Sequence, residues 1–219
     1  ADVPEGDYEL GASGEPCFDA RTLEVALRSS QRADLTLEPK SDGFGYQCRP
    51  IEHAPEPLSS VLALSGDDEA LVIDLPFPFP FYDQVYTRAL VTTNGYVTFE
   101  LDDDVAYDNI AIPDPEPPNA AIFVLWDDLL VDSGFGASVL SEARGVAPER
   151  RLLLEWRDVA FLDDFSQKLT LRLELAESGE IVVSYSEQTP GTLVGGAAAT
   201  VGLEDARGEQ GLSLLHNRA

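Results

Sequence analysis

The sequence predicts an all-β protein, a two-sheet antiparallel β-sandwich of about ten strands with an irregular, disulfide-bearing N-terminal arm. Three observations predict it. From Ser60 onward, short apolar or alternating runs recur with turn residues between them, and no long segment sustains a helical period. In Leu169-Thr170-Leu171-Arg172-Leu173-Glu174-Leu175 the alternation is strict, which puts four leucines on a core face and the polar residues on the opposite one. Asn94-Gly95, between two alternating runs, signals a hairpin, because a type I′ turn needs positive φ at both central residues.

In chain order, residues 1–57 form the arm, where Gly, Ser, Pro and charges interleave. Within it, Ala20 to Ser30, with Leu23, Val25, Ala26 and Leu27 behind an Asp19 N-cap, reads as two or three helical turns, although Thr22 to Leu27 also alternates like a strand. Asp34 to Glu38 is a short strand candidate built on Leu35, Thr36 and Leu37, and His53 to Ser59, with Pro55 and Pro57, reads as a connector. The sandwich is assigned to residues 58–219. Its expected strands are Val61 to Leu64, Ala70 to Leu75, Val85 to Thr92, Tyr96 to Leu101, Ala121 to Trp126, Leu152 to Phe161, Lys168 to Ala176, Ile181 to Tyr185, Ala198 to Leu203 and Leu212 to Leu215. Ser178-Gly179 marks a second hairpin. Trp126 and Trp156 each lie in an apolar run and are expected to fill the space between the sheets.

Charge narrows the partners. Forty Asp and Glu against 14 Lys and Arg give a formal net charge of -26, which repels phosphate backbones and anionic lipid, so nucleic acid is excluded as a partner. No apolar run approaches the roughly 18 residues of a membrane span, so no membrane insertion is expected. Met is absent and the chain starts at Ala1, which leads to the expectation of export with a removed signal peptide, to the cell surface or beyond. In an oxidising compartment Cys17 and Cys48 form the single possible disulfide, worth about 3 to 4 kcal/mol by loop-closure entropy. The alternative is two unrelated buried thiols.

Catalytic signals are poor. The two histidines, His53 in the connector and His216 near the end, stand in no nucleophile motif, and there is no HExxH, Walker or dinucleotide-binding sequence. Paired carboxylates for glycoside hydrolysis carry no information in so acidic a chain. No motif requires a cofactor. Ca²⁺ is the ligand that the acids suggest: Asp102, Asp103 and Asp104 with Asp108, and Asp127 and Asp128 with Asp132, gather hard oxygens at strand ends, of which Ca²⁺ takes about six to eight. Neither group has EF-hand spacing, and the plainer reading of the same residues is solvated acidic loops, or an Asp127 and Asp128 pair that caps backbone amides.

Several phrases resemble a module of secreted bacterial proteins that occurs beside protease or repeat domains and is distantly similar to the nidogen-like extracellular domain. They are Leu75-Pro76-Phe77-Pro78-Phe79-Pro80-Phe81-Tyr82, Val91-Thr92-Thr93-Asn94-Gly95-Tyr96-Val97-Thr98-Phe99, Pro118-Asn119-Ala120-Ala121 running into Leu125-Trp126-Asp127-Asp128-Leu129, Glu155-Trp156-Arg157-Asp158-Val159 and Ala199-Thr200-Val201-Gly202-Leu203-Glu204. The resemblance implies an extracellular β-sandwich without catalytic residues, associated with adhesion or matrix contact. The function expected is a structural or adhesive module on the cell exterior. It would assemble with other copies into filaments through the arm, with Leu35, Thr36 and Leu37 as a donor strand. The alternative is a carbohydrate- or protein-binding accessory module, for which Tyr82, Tyr86, Tyr96, Tyr107 and Phe135 are the candidate contact aromatics.

Overall fold

Alternation in the sequence becomes paired strand along most of the chain. A computed structural model describes residues 3–14, 16–102, 104–187 and 189–217. Its contacts divide into two compact units, residues 1–52 and 53–219.

In the first unit β1 (Gly6–Ala12) pairs antiparallel with β2 (Arg21–Leu27), setting Tyr8 opposite Val25 and Leu10 opposite Leu23. The helical reading of Ala20 to Ser30 is therefore corrected. A helix of two or three turns is marginal alone, and the competing alternation wins once a partner strand is present. Cys17 and Cys48 form the disulfide. Among the described residues Leu35, Thr36 and Leu37 join no ladder; Leu35 and Leu37 are half-buried, and the Thr36 carbonyl accepts from Arg21 at 3.1 Å.

The second unit is a sandwich of two antiparallel sheets. One has six strands in the order β13-β12-β6-β5-β4-β3: β3 (Ala70–Phe81), β4 (Gln84–Thr92), β5 (Tyr96–Thr98), β6 (Ala121–Trp126), β12 (Thr200–Glu204) and β13 (Gly211–His216). The other runs β11-β10-β9-β7, with β8 also paired to β9: β7 (Leu129–Leu130), β8 (Ser138–Arg144), β9 (Arg151–Phe161), β10 (Asp164–Ala176) and β11 (Ile181–Glu187). Two hydrogen bonds join the sheets. The Trp156 indole donates to the Thr92 carbonyl at 2.7 Å, and the Tyr185 hydroxyl donates to the Val124 carbonyl at 2.6 Å. Trp156 and all four leucines of β10 are buried, as expected of a core face, whereas Trp126, expected between the sheets, is buried instead with Tyr96, Phe123 and Ile112, under residues 106–112.

Three local differences from expectation have physical reasons. β3 continues past Leu75 through Pro76, Pro78 and Pro80, which an edge strand tolerates because one row of its N–H groups has no ladder partner; Phe77, Phe79 and Phe81 alternate with the prolines and are all buried. The hairpin between β4 and β5 is a three-residue loop, Thr93 to Gly95, rather than a two-residue type I′ turn. Only Gly95 has positive φ, at 72°, and a Cβ there would lie 2.1 Å from the Leu125 carbonyl oxygen. Val61 to Leu64 makes a single isolated bridge, Val61 with Leu140, not a strand, whereas β7 and β8, too polar or too short to read from alternation, complete the second sheet.

Candidate functional site

Two clusters of charged side chains stand out in the sandwich, and one backbone segment connects them. The segment is a strap, residues 56–66, along the β7 and β8 edge. Leu62 N–H donates to Val139 O at 2.8 Å, Ser141 N–H to Ser60 O at 2.9 Å, and Gly66 and Val131 exchange bonds of 2.8 and 3.0 Å.

At its start the strap lies over the outer face of β8, β9 and β10, the polar face that alternation assigns to solvent. Cross-strand register builds that face in rows: Arg172 beside Glu155 beside Leu140, then Glu174 beside Leu153 beside Glu142. Leu58 is buried against Leu140 and Leu153. Around this apolar contact the strap's backbone carbonyls are held by arginines: Glu56 O by Arg172 at 2.5 Å, Pro57 O by Arg144 at 2.5 Å and Leu58 O by Arg157 at 2.9 Å. The Glu56 carboxylate pairs with Arg144 and, at 3.0 Å, with Arg151. Ser59 and Ser60 N–H both donate to Glu142 Oε1, at 2.6 and 3.2 Å. Beneath the strap Glu155 pairs with Arg172 and Arg157, and Glu174 with Arg151. The Ser59 amide, then Arg144 and the Ser59 hydroxyl, hold Glu142 down at a pKa of about 2; the two arginines lower Glu56 as well.

Where the strap turns toward β3, the second cluster is purely acidic. Asp67, Asp68 and Asp128 bring ligand oxygens within 4.8 Å of one another. Burial, then the charges of Asp67, Asp68, Asp163 and Asp108, push Asp128 up to about 6. Burial foremost, with Asp128 and Asp163 adding to it, pushes Asp127 up to about 7, and Asp67 is raised too. Asp127 Oδ2 and Asp128 Oδ1 are buried without a hydrogen-bond partner. The frame behind them is Asn94. It is fully buried, donates to Asp68 Oδ1 at 2.8 Å and to Ala106 O at 3.3 Å, and accepts from Leu129 N–H at 3.2 Å.

Of the predicted acids, the structure thus brings Asp128 into a cluster, with Asp127 and Asp108 near enough to shift or be felt by it. Asp132 stands apart as a cap, accepting from Gly134 N–H at 2.7 Å. Asp102 and Asp104 are exposed on a loop, and Asp103 lies outside the described residues. Asp67, Asp68 and Asp163 were not foreseen; the run Asp67-Asp68-Glu69 ahead of a strand was the available signal. Among the contact aromatics Tyr82 and Tyr96 are buried and Tyr86 stacks on Phe99 at 4.5 Å, which removes all three as a binding row. Tyr107 and Phe135 are exposed.

The polar residues of the signature phrases serve this frame. Besides Asn94, Trp126 donates to Ala106 O at 3.0 Å, and Glu204, buried at the end of β12, accepts from Asp114 N–H at 3.0 Å. Gly202 allows a close approach, since a Cβ there would lie 2.3 Å from Leu212 O. No helix among the described residues is long and apolar enough to cross a membrane. No curated protein and no solved structure matches the chain. The family described as NIDO related matches residues 45–219, which takes in the end of the first unit, the strap, both charge clusters and every strand of the sandwich; the chain belongs to that family, a distant relation of the nidogen-like domain.

Proposed function

We propose that the protein is a non-catalytic structural or adhesive module on the cell exterior that works by contact, including contact with other copies of itself, and that Ca²⁺ bound at Asp67, Asp68 and Asp128 stiffens its loop end. Its family suggests an extracellular structural or binding domain, and the disulfide suits an oxidising compartment. The observation that carries the reading is that the conspicuous polar residues, Asn94, Trp126, Trp156 and Glu204, hold backbone groups of the frame instead of converging on an open cleft. Three carboxylates with buried, unpartnered oxygens beside them suit a hard cation, which would neutralise charges that otherwise repel. Exposed Tyr107 and Phe135 favour the second reading, a glycan- or protein-binding accessory module.

Light scattering and negative-stain imaging, with and without millimolar Ca²⁺, test the first reading. Regular oligomers or filaments support it; a monomer under every condition overturns self-contact and leaves the accessory module.

A further inference from the structure

We infer that the strap is an exchangeable element: residues 56–66 of one chain dock on the Arg-lined outer face of β8, β9 and β10 of a second copy, carrying their N-terminal unit with them. The inference rests on the self-contact reading and names its interface.

The face is built to read an extended peptide. Three successive carbonyls, at Glu56, Pro57 and Leu58, each accept from a different arginine, the next two amides, at Ser59 and Ser60, share one carboxylate, and the Glu56 side chain is held from two sides. Leu58 supplies one apolar anchor against Leu140 and Leu153. Further along, the strap adds to a sheet edge through main-chain bonds, the same chemistry by which a separate peptide augments a sheet. Every one of these contacts can be made by an identical strap from a neighbour, which is the condition for domain swapping.

The chain is divided where exchange needs it to be. Upstream, the boundary between compact units falls between Glu52 and His53, just before the strap, so exchange breaks neither unit's own sheet. Pro55 and Pro57 keep the strap extended and unable to fold back as helix. Downstream, the turn into β3 stores backbone strain at Asp68, whose φ of 53° is a left-handed conformation that only Gly adopts freely. A short strained hinge is relieved when it opens into the extended crossing between two copies. The occupant is therefore a second copy, because the complement of the groove is a sequence that each copy carries.

The test mixes two full-length variants, Ser60→Cys and Ser141→Cys, under mild oxidation. Ser60 and Ser141 face each other across the strap bond of 2.9 Å, and the native cysteines are already paired. Exchange predicts a mixed disulfide between residue 60 of one chain and residue 141 of the other, several-fold in excess of random pairing, read by peptide mass after digestion. It also predicts that Glu56→Arg in the Ser60→Cys chain abolishes the excess, and that Arg144→Glu with Arg151→Glu in the Ser141→Cys chain restores it. Random proportions, or no mixed product from folded chains, overturn exchange. If the wild-type chain nevertheless assembles by light scattering, the contact reading survives without it; if both fail, both fall.

Discussion

Glu142, Glu155 and Glu174 each face an arginine beneath the strap, whereas Asp67 and Asp68, just past its end, and Asp128, between β6 and β7, face one another. Both clusters are partly withdrawn from water in the same sandwich, and burial raises carboxyl pKa values in each, but the neighbouring groups act in opposite senses. Under the strap, amide donors and arginines outweigh desolvation and lower Glu142 and Glu56; at the turn, like charges add to desolvation and raise Asp128 and Asp127. A net charge of -26 thus has little to do with local electrostatics: four of the eight arginines in residues 53–219, Arg144, Arg151, Arg157 and Arg172, are concentrated on one sheet face, and acids left without them gather elsewhere.

The sharpest way to break the balanced cluster is to remove one partner. Arg172→Met leaves Glu155, which is buried, with half its compensation and takes two bonds from the strap face. The expected loss is about 3 kcal/mol, read by urea denaturation, because an uncompensated buried charge costs more than the pair contributes. The double variant Arg172→Met with Glu155→Leu recovers much of that loss. Equal instability in the double variant would mean that the arginine acts through packing and the strap carbonyl alone.

The unbalanced cluster answers the opposite change. Asp128→Asn removes one of the repelling charges, so it stabilises the protein in chelator. It also abolishes the gain from Ca²⁺, which for the wild type at about ten times its dissociation constant amounts to about 1.4 kcal/mol by linkage. Scanning calorimetry with Ca²⁺ and with EDTA separates these effects. An undiminished Ca²⁺ gain in the variant would remove Asp128 from the site.

The pH dependence follows from the same contrast. Glu142 has an ordinary value of 4.5 and a folded value of about 2, so its contribution is present above 4.5 and is lost as pH falls toward 2. Asp127 and Asp128 move the other way, from 3.8 to about 7 and about 6; the folded protein holds their protons longer, so stability declines as pH rises from about 4 through 7. Glu204, raised to about 8 mainly by burial, extends that decline. In chelator the maximum is expected near pH 4 to 5, and Asp127→Asn with Asp128→Asn moves it upward. A maximum already at neutral pH in the wild type would contradict the raised values.

Sequence shows the inner face of β10 well and the outer face badly. Leu169, Leu171, Leu173 and Leu175 announce a core by their spacing, because burial of every second side chain is a local property of a strand. That Arg172 and Glu174 are also buried depends on a strap more than a hundred residues away, and no periodicity encodes it. The prolines of β3 were legible as punctuation between buried rings, but their edge position was not. Asn94 was legible as a turn residue for the wrong reason: Gly95 alone needs positive φ, and Asn94 matters as a buried side chain that ties Asp68 to Leu129. The acids were visible as runs, yet the group that converges pairs Asp128 with Asp67 and Asp68, sixty residues upstream, where strand order rather than spacing decides proximity.

The smallest effect tests how far the balanced cluster extends. Arg150, just before β9, and Glu177, at the start of the β10–β11 turn, pair at 2.6 Å beyond the strap, with side chains partly open to water. Glu177→Gln removes the charge and keeps one acceptor, and the expected change in melting midpoint is the least of the series, shrinking further in salt, because exposed pairs are screened. Arg150→Ala is expected to cost more than Glu177→Gln, since Arg150 also donates to Pro76 O at 2.7 Å and lies 5.5 Å from the Phe77 ring centroid. Equal, small losses for both would confine Arg150 to its ion pair. A larger loss for Arg150→Ala would show that the arginine's worth on this sheet comes from the backbone it holds, as it does under the strap.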